Sequence, residues 1–303
     1  MPNKTISVRI DGELVTAQEG QTILEAAHAH GKQIPTLCYL KGLRAVGACR
    51  VCMVELAGTD RLLPACTTPI QDGMSIKTAS EKLTLYRRMA VELLLVERNH
   101  ICSACVSNGH CELQSMAQSL GITHVRYSYN NPHLPVDMTH PRFVLDHNRC
   151  ILCTRCVRVC AEVEGANVWE VASRGIYSRI VSDLKDDWGQ ARNCTGCGKC
   201  IQACPTGALA EKGFSVMEMV KQCDSVSRLA AQRTHQANGA LERFGMCLQA
   251  RPEQAPGAAV PRPFPRSQSS RMCSGLVGLH PPDRGLSRRH RRKLSGPLTS
   301  RPS

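Results

Sequence analysis

Fifteen of the eighteen cysteines stand in four spaced groups, and a chain built this way has to fold around whatever its thiols hold. The groups are Cys38, Cys49, Cys52 and Cys66; then Cys102, Cys105 and Cys111; then Cys150, Cys153, Cys156 and Cys160; and last Cys194, Cys197, Cys200 and Cys204, followed by Pro205. Thiolate ligands select iron–sulfur clusters, zinc or copper(I). Zinc sites normally use two tight Cys-x2-Cys pairs. The first group has one such pair with a lone cysteine far to each side, and the last two repeat Cys-x2-Cys-x2-Cys-x3-Cys, a four-iron ligand run. The spacing favours iron.

Composition sets the context. The length suits two or three small domains, yet only 4% of the residues are aromatic, so bound metal must do part of the work of an apolar core. Met1-Pro2-Asn3-Lys4-Thr5 shows no basic region with an apolar run behind it, and the best apolar run, Val91 to Val96, is far short of the roughly 20 residues of a membrane span. A cytoplasmic location without a membrane span is expected, where clustered cysteine means metal or redox chemistry rather than disulfides. The formal charge of +13 is uneven: residues 241–303 hold twelve Lys and Arg against three acids, a net +9, which leaves +4 for the rest. Cluster charge would make that remainder mildly acidic, so the basic character belongs to the tail and no nucleic-acid partner is expected.

In the N-terminal segment, Thr5 to Ile10 alternates at period two and Asp11-Gly12 turns it into Glu13-Leu14-Val15. Thr22 with Glu25 makes a capping box for a helix that Gly31 ends. Met53 to Leu56 and Leu62 to Cys66 read as strands that bring up the fourth ligand of a two-iron cluster on Cys38, Cys49, Cys52 and Cys66. In the middle segment, Ser80 caps a helix whose apolar stripe reads Leu83, Tyr86, Ala90, Leu93 and Leu94. Cys102, Cys105 and Cys111 then lack a fourth partner for a cubane. His100 is the nearest local choice, with His110 or a distant residue as alternatives.

In two-cluster ferredoxins the fourth cysteine of each run ligates the other cluster. That crossing predicts one cubane on Cys150, Cys153, Cys156 and Cys204, and another on Cys194, Cys197, Cys200 and Cys160. Glu164 to Trp188 reads as a hairpin insertion between the runs. Glu218 to Arg233 reads as a helix with Val216, Met219, Val220, Val226 and Leu229 on one side, and 245–303 as a basic disordered tail. Cys223, Cys247 and Cys273 have no ligand spacing. No Gly-x-Gly-x-x-Gly, phosphate loop or Ser/His/Asp arrangement offers a site for substrate chemistry.

The order of ligand sets, with Glu97-Arg98-Asn99-His100-Ile101-Cys102 carrying His-x-Cys, resembles the diaphorase iron–sulfur subunit of the bidirectional NAD-linked [NiFe] hydrogenase. It is also similar to the N-terminal region of the large iron–sulfur subunit of NADH:quinone oxidoreductase. That enzyme usually has His-x3-Cys, a register in which this chain has Arg98. The resemblance covers about 1–235 and implies an α+β chain: a β-grasp [2Fe-2S] ferredoxin-like domain over 1–80, a helical segment over 81–140 with a [4Fe-4S] cluster on one His and three Cys, a bacterial-type two-cluster [4Fe-4S] ferredoxin-like domain over 141–215 and a helical extension over 216–244. It further implies a non-catalytic electron-transfer subunit whose partners are a flavoprotein carrying FMN and NAD and the small and large subunits of a [NiFe] hydrogenase. A subunit of an NAD-linked formate dehydrogenase or of the quinone reductase is the alternative reading, and a zinc- or nucleic-acid-binding module the remote one.

Overall fold

The structure is a computed structural model and describes residues 4–183 and 187–243, with side chains as far as 233. The tail expected at 245–303, with Cys247 and Cys273, lies outside the described residues.

The first elements form a mixed sheet. Strands β1 (Thr5–Ile10) and β2 (Glu13–Gln18) pair antiparallel with Val8 opposite Val15. Their alternation buries Ile6, Val8 and Ile10 on one face. Asp11 and Gly12 both take positive φ (53° and 86°), as the tight hairpin turn demands. Helix α1 (Ile23–Ala29) starts at the expected capping box, with the Glu25 amide donating to Thr22 Oγ1 and the Thr22 amide to Glu25 Oε2. Strands β3 (Met53–Leu56), β4 (Leu62–Pro64) and β5 (Ser75–Lys77) complete the sheet in the order β2-β1-β5-β3-β4, with β5 parallel to β1. Ile23, Leu24, Ala26 and Ala27 of α1 share one buried core with this sheet.

Helix α2 (Glu81–Val96) is capped by Ser80 as expected, but the buried face differs from the predicted stripe. Leu83, Arg87, Val91, Glu92 and Val96 are buried, whereas Leu93 is exposed. The reason lies in polar satisfaction. Arg87 donates to the Val51, Met53 and Thr78 carbonyls, and Glu92 accepts a fork from Arg126, so two charged residues can sit on the inner face. Helix α3 (Glu112–Ser119) follows the third cysteine of the middle group.

The remaining elements are short. Strands β6 (Val136–Asp137) and β7 (Phe143–Asp146) lead into helix α4 (Arg155–Arg158), which widens into a π turn over Val159–Glu164. Strands β8 (Trp169–Ala172) and β9 (Arg179–Ser182) form the hairpin expected between the two cysteine runs. Helix α5 (Lys199–Ala203) and strand β10 (Leu209–Glu211) follow, and β10-β7-β6 make a second sheet. Helix α6 (Cys223–Arg243) begins five residues later than the sequence suggests. The Met217 and Met219 amides are taken by the Cys105 and Val106 carbonyls, and Met217 sits at positive φ (69°), so the helix cannot begin here. A buried cluster of Leu37, Cys38, Cys49, Val51, Val91, Cys111, Leu113, Ile151 and Cys153 joins side chains from all the cysteine-bearing segments but the last.

Candidate functional site

Four thiols close on one another at the edge of the first sheet. Cys38 follows α1, Cys49 and Cys52 lie on a loop turned by Gly47 and Arg50 at positive φ, and Cys66 follows β4. All four are buried, and Cys52 Sγ lies 3.3 Å from Cys66 Sγ. Hydrogen bonds from Cys49 and then Cys66 pull the Cys38 thiol far down, and a bond from Cys66 brings Cys52 to about 7. Cys49 and Cys66 are pushed up. The four sulfurs thus act on one another at hydrogen-bond range, the condition of a ligand set that can give up its protons to a metal.

The other three ligand sets each surround a cavity, and the three are of like size. One of about 20 Å³ is lined by His100, Cys102, Cys105 and Cys111, with Leu95, Leu113, Arg149, Thr206 and Gly207 closing it. A second of about 20 Å³ is lined by Cys150, Cys153, Cys156 and Cys204. The third, of about 20 Å³, is lined by Cys194, Cys197, Cys200 and Cys160. The chain therefore brings the fourth cysteine of each run to the cavity of the other run. Cys160 reaches across from the π turn, and Cys204 from the end of α5. Among the described residues, no three His, Cys, Asp or Glu side chains converge on a single point as one metal ion would require.

The two runs also fold alike. Leu152 and Thr154 in the first take the same left-handed backbone (φ 51° and 58°) as Gly196 and Gly198 in the second (64° and 70°). A β-branched residue is strained there, so the loop shape is imposed by its surroundings and not by residue preference. The turns direct amides at sulfur: the Leu152 N–H points to Cys150 Sγ at 3.4 Å, and the Val168 N–H to Cys160 Sγ at 3.4 Å.

The donor chemistry fits iron–sulfur clusters. His100 Nε2 is buried with no hydrogen-bond partner, and burial lowers the imidazole to about 4, so the ring is neutral with a free nitrogen. His110 is exposed and takes no part in the lining. Burial pushes the thiols of Cys111 and Cys150 up to about 11 and that of Cys153 to about 12. Thiolates in such desolvated cavities need a cation to hold their charge. Gly207 backs onto Cys105, and a Cβ there would overlap its sulfur.

Several residues around the sites carry no motif. Arg155, buried between α3 and α5, grips Glu112 with both terminal nitrogens (2.6 and 2.8 Å) and also donates to the Tyr39 carbonyl. Arg158 Nη2 donates to the carbonyls of Cys38 (2.6 Å) and Cys153 (3.1 Å), tying two ligand loops through one nitrogen. Thr206 lines both the His100 and the Cys204 cavities. Cys223 is bonded to the Gln202 carbonyl and to Glu112 and lines none of the three cavities.

Residues 3–81 match the family model of a 2Fe-2S iron–sulfur cluster binding domain. Residues 87–126 match the NADH-ubiquinone oxidoreductase-G iron–sulfur binding region, and 141–210 the ferredoxin-like domain of NADH-quinone oxidoreductase subunit 3. The chain is 42% identical over 209 residues to the NADPH-Fe(3+) oxidoreductase subunit alpha of Geobacter sulfurreducens, covering 69% of this chain but 24% of that one. It is 35% identical over 235 residues to the NADP-reducing hydrogenase subunit HndD of Solidesulfovibrio fructosivorans, of which it spans 39%. Against the NAD-reducing hydrogenase HoxS subunit gamma of Cupriavidus necator it is 33% identical over 209 residues, 69% of this chain and 88% of the relative. A chain from the crystal structure of an NAD+-reducing [NiFe]-hydrogenase in the H2-reduced state superposes with a TM-score of 0.67 at 34% identity, covering 74% of this chain and 96% of that one. The chain thus carries 2Fe-2S and 4Fe-4S domains and belongs to the family of the gamma subunit of NAD-reducing hydrogenase.

Proposed function

We propose that the chain is the electron-transfer subunit of an NAD-linked hydrogenase, relaying single electrons between a flavoprotein that binds FMN and NAD and a [NiFe] hydrogenase module. The observation that carries the reading is the set of three like-sized cavities, each ringed by four His or Cys side chains, two of them sharing Thr206 as a wall. Cys38, Cys49, Cys52 and Cys66 would hold a [2Fe-2S] cluster. His100, Cys102, Cys105 and Cys111 would hold one [4Fe-4S] cluster, Cys150, Cys153, Cys156 and Cys204 a second, and Cys194, Cys197, Cys200 and Cys160 a third. Such clusters supply one-electron exchange at iron, with no proton or group transferred.

The protein's own groups hold the thiolates, keep water from most of them and set their spacing. The Arg158 guanidinium fixes the Cys38 loop against the Cys153 loop. Thr206 closes the wall between the His100 and Cys204 cavities, its hydroxyl bound to the Arg149 carbonyl at 2.6 Å. The neutral His100 ring contributes one negative charge fewer than a thiolate, which favours reduction of the cluster it holds. No helix among the described residues is long and apolar enough to cross a membrane.

The test is anaerobic purification with metal and sulfide analysis. We expect about 14 irons per chain, from one two-iron and three four-iron clusters, with matching labile sulfide. Stoichiometric zinc with little iron would overturn the reading. Recovery with a nickel subunit and a flavoprotein supports the hydrogenase assignment, whereas recovery with a molybdenum or quinone-reducing subunit replaces it.

A further inference from the structure

The chain has two tryptophans, Trp169 and Trp188, and both line the same cavity, the one ringed by Cys160, Cys194, Cys197 and Cys200. Trp188 Nε1 donates to Cys194 Sγ at 3.4 Å. The indole of Trp169 lies 4.7 Å from that of Trp188 in an edge-on contact, on the same cavity wall as Cys200, whose thiol it holds lower than burial alone would. An indole nitrogen can only donate, so the Cys194 sulfur is the acceptor. The sister cavity of Cys150, Cys153, Cys156 and Cys204 is walled by Leu145, Ile151, Ile180, Ala208 and Leu209, with no aromatic residue. The two halves of the ferredoxin-like segment, alike in loop shape, differ in this respect.

Trp188 is held rigidly for such a role. It is fully buried, and its ring lies between His140 (centroids 4.7 Å apart) and Trp169, with Phe143 at 5.4 Å. Its backbone amide donates to Asp137 Oδ2 at 2.7 Å, and the next amide, of Gly189, donates to Thr139 Oγ1 at 2.8 Å. Gly189 has to be glycine, because a Cβ would stand 2.5 Å from the Thr139 carbonyl oxygen. A turn clamped at two amides and a ring packed on three sides leave the indole N–H one direction to point.

We propose that Trp188 and Trp169 tune one cluster selectively, raising the reduction potential of the cubane on Cys160, Cys194, Cys197 and Cys200 by donating indole N–H bonds to its thiolates. The proposal rests on the cluster assignment above. An electron entering the cluster increases the charge on sulfur, and the N–H···S bonds strengthen in the reduced state. No proton leaves the indole, so the step is electron transfer alone.

The test is redox titration of the full chain, followed by paramagnetic resonance, in Trp188→Phe and Trp169→Phe variants. Phenylalanine keeps an aromatic ring in the stack and removes the donor. Each variant is expected to shift the potential of one cubane to more negative values and leave the other centres unmoved. A loaded cluster at its original potential, or a shift shared by all centres, overturns the proposal. Should either variant fail to load that cubane, unmodified protein with ¹⁵N-indole tryptophan decides: a nitrogen hyperfine coupling on the reduced signal of that cubane supports the proposal, and its absence overturns it. Unmodified protein with no cluster signal at all defeats the metal reading instead.

Discussion

At the scale of single residues, the site is shaped as much by what is missing as by what is present. Gly207 has no Cβ, and this allows the chain after Cys204 to press against the Cys105 sulfur and Thr206 to form a wall common to two cavities. Gly207→Ala is expected to displace Cys105, costing the His100 cavity its cluster while the other three centres survive. Iron falls by about four per chain; an unchanged iron count in the variant would show that the wall can yield. The ligating cysteines were legible in the sequence because their spacing is local: a turn of two or three residues brings each set of three together. Gly207 was not, because the sulfur it makes room for is a hundred residues away.

At the scale of elements, short helices are held by ion pairs that cross segment boundaries. Helix α4 is one turn long and cannot be stable by itself. Arg155 fixes it, forked onto Glu112 at the start of α3 and bonded to the Tyr39 carbonyl beside the first ligand. Its side chain is 3% exposed, so removal of the carboxylate would strand a buried guanidinium. Glu112→Ala is expected to cost about 3 kcal/mol, the lower end for breaking a buried pair because Glu112 is itself partly exposed. Denaturant unfolding measures it, and a loss below about 1 kcal/mol would mean the pair is worth no more than a surface contact. Capping boxes and the hairpin turn could be read in advance because their partners lie three residues apart or fewer. The inner face of α2 could not: apolar periodicity counts Arg87 and Glu92 as outward, and only their distant carbonyl and guanidinium partners turn them inward. The start of α6 was misplaced for the same reason, since the carbonyls that take the Met217 and Met219 amides out of any helix come from the Cys105 loop.

At the scale of the molecule, the two cysteine runs are knotted together by exchange of their last members, Cys160 and Cys204. Neither half can complete its ligand set alone, so folding of each requires the other. Cys204→Ser is expected to damage the cubane of Cys150, Cys153 and Cys156, and Cys160→Ser that of Cys194, Cys197 and Cys200, read as loss of one paramagnetic signal in each case. The reverse pattern would show that each run keeps its own fourth cysteine. The arrangement also leaves one corner of the molecule open. Among the described residues Cys197 is the one exposed cysteine, on a turn between two left-handed glycines. Oxidants dissolved in water therefore meet this sulfur before any other of the described cluster ligands. Aerial bleaching should begin at a single cubane and proceed in stages, with the two-iron site, all four of whose thiols are sealed inside, the last to lose its colour.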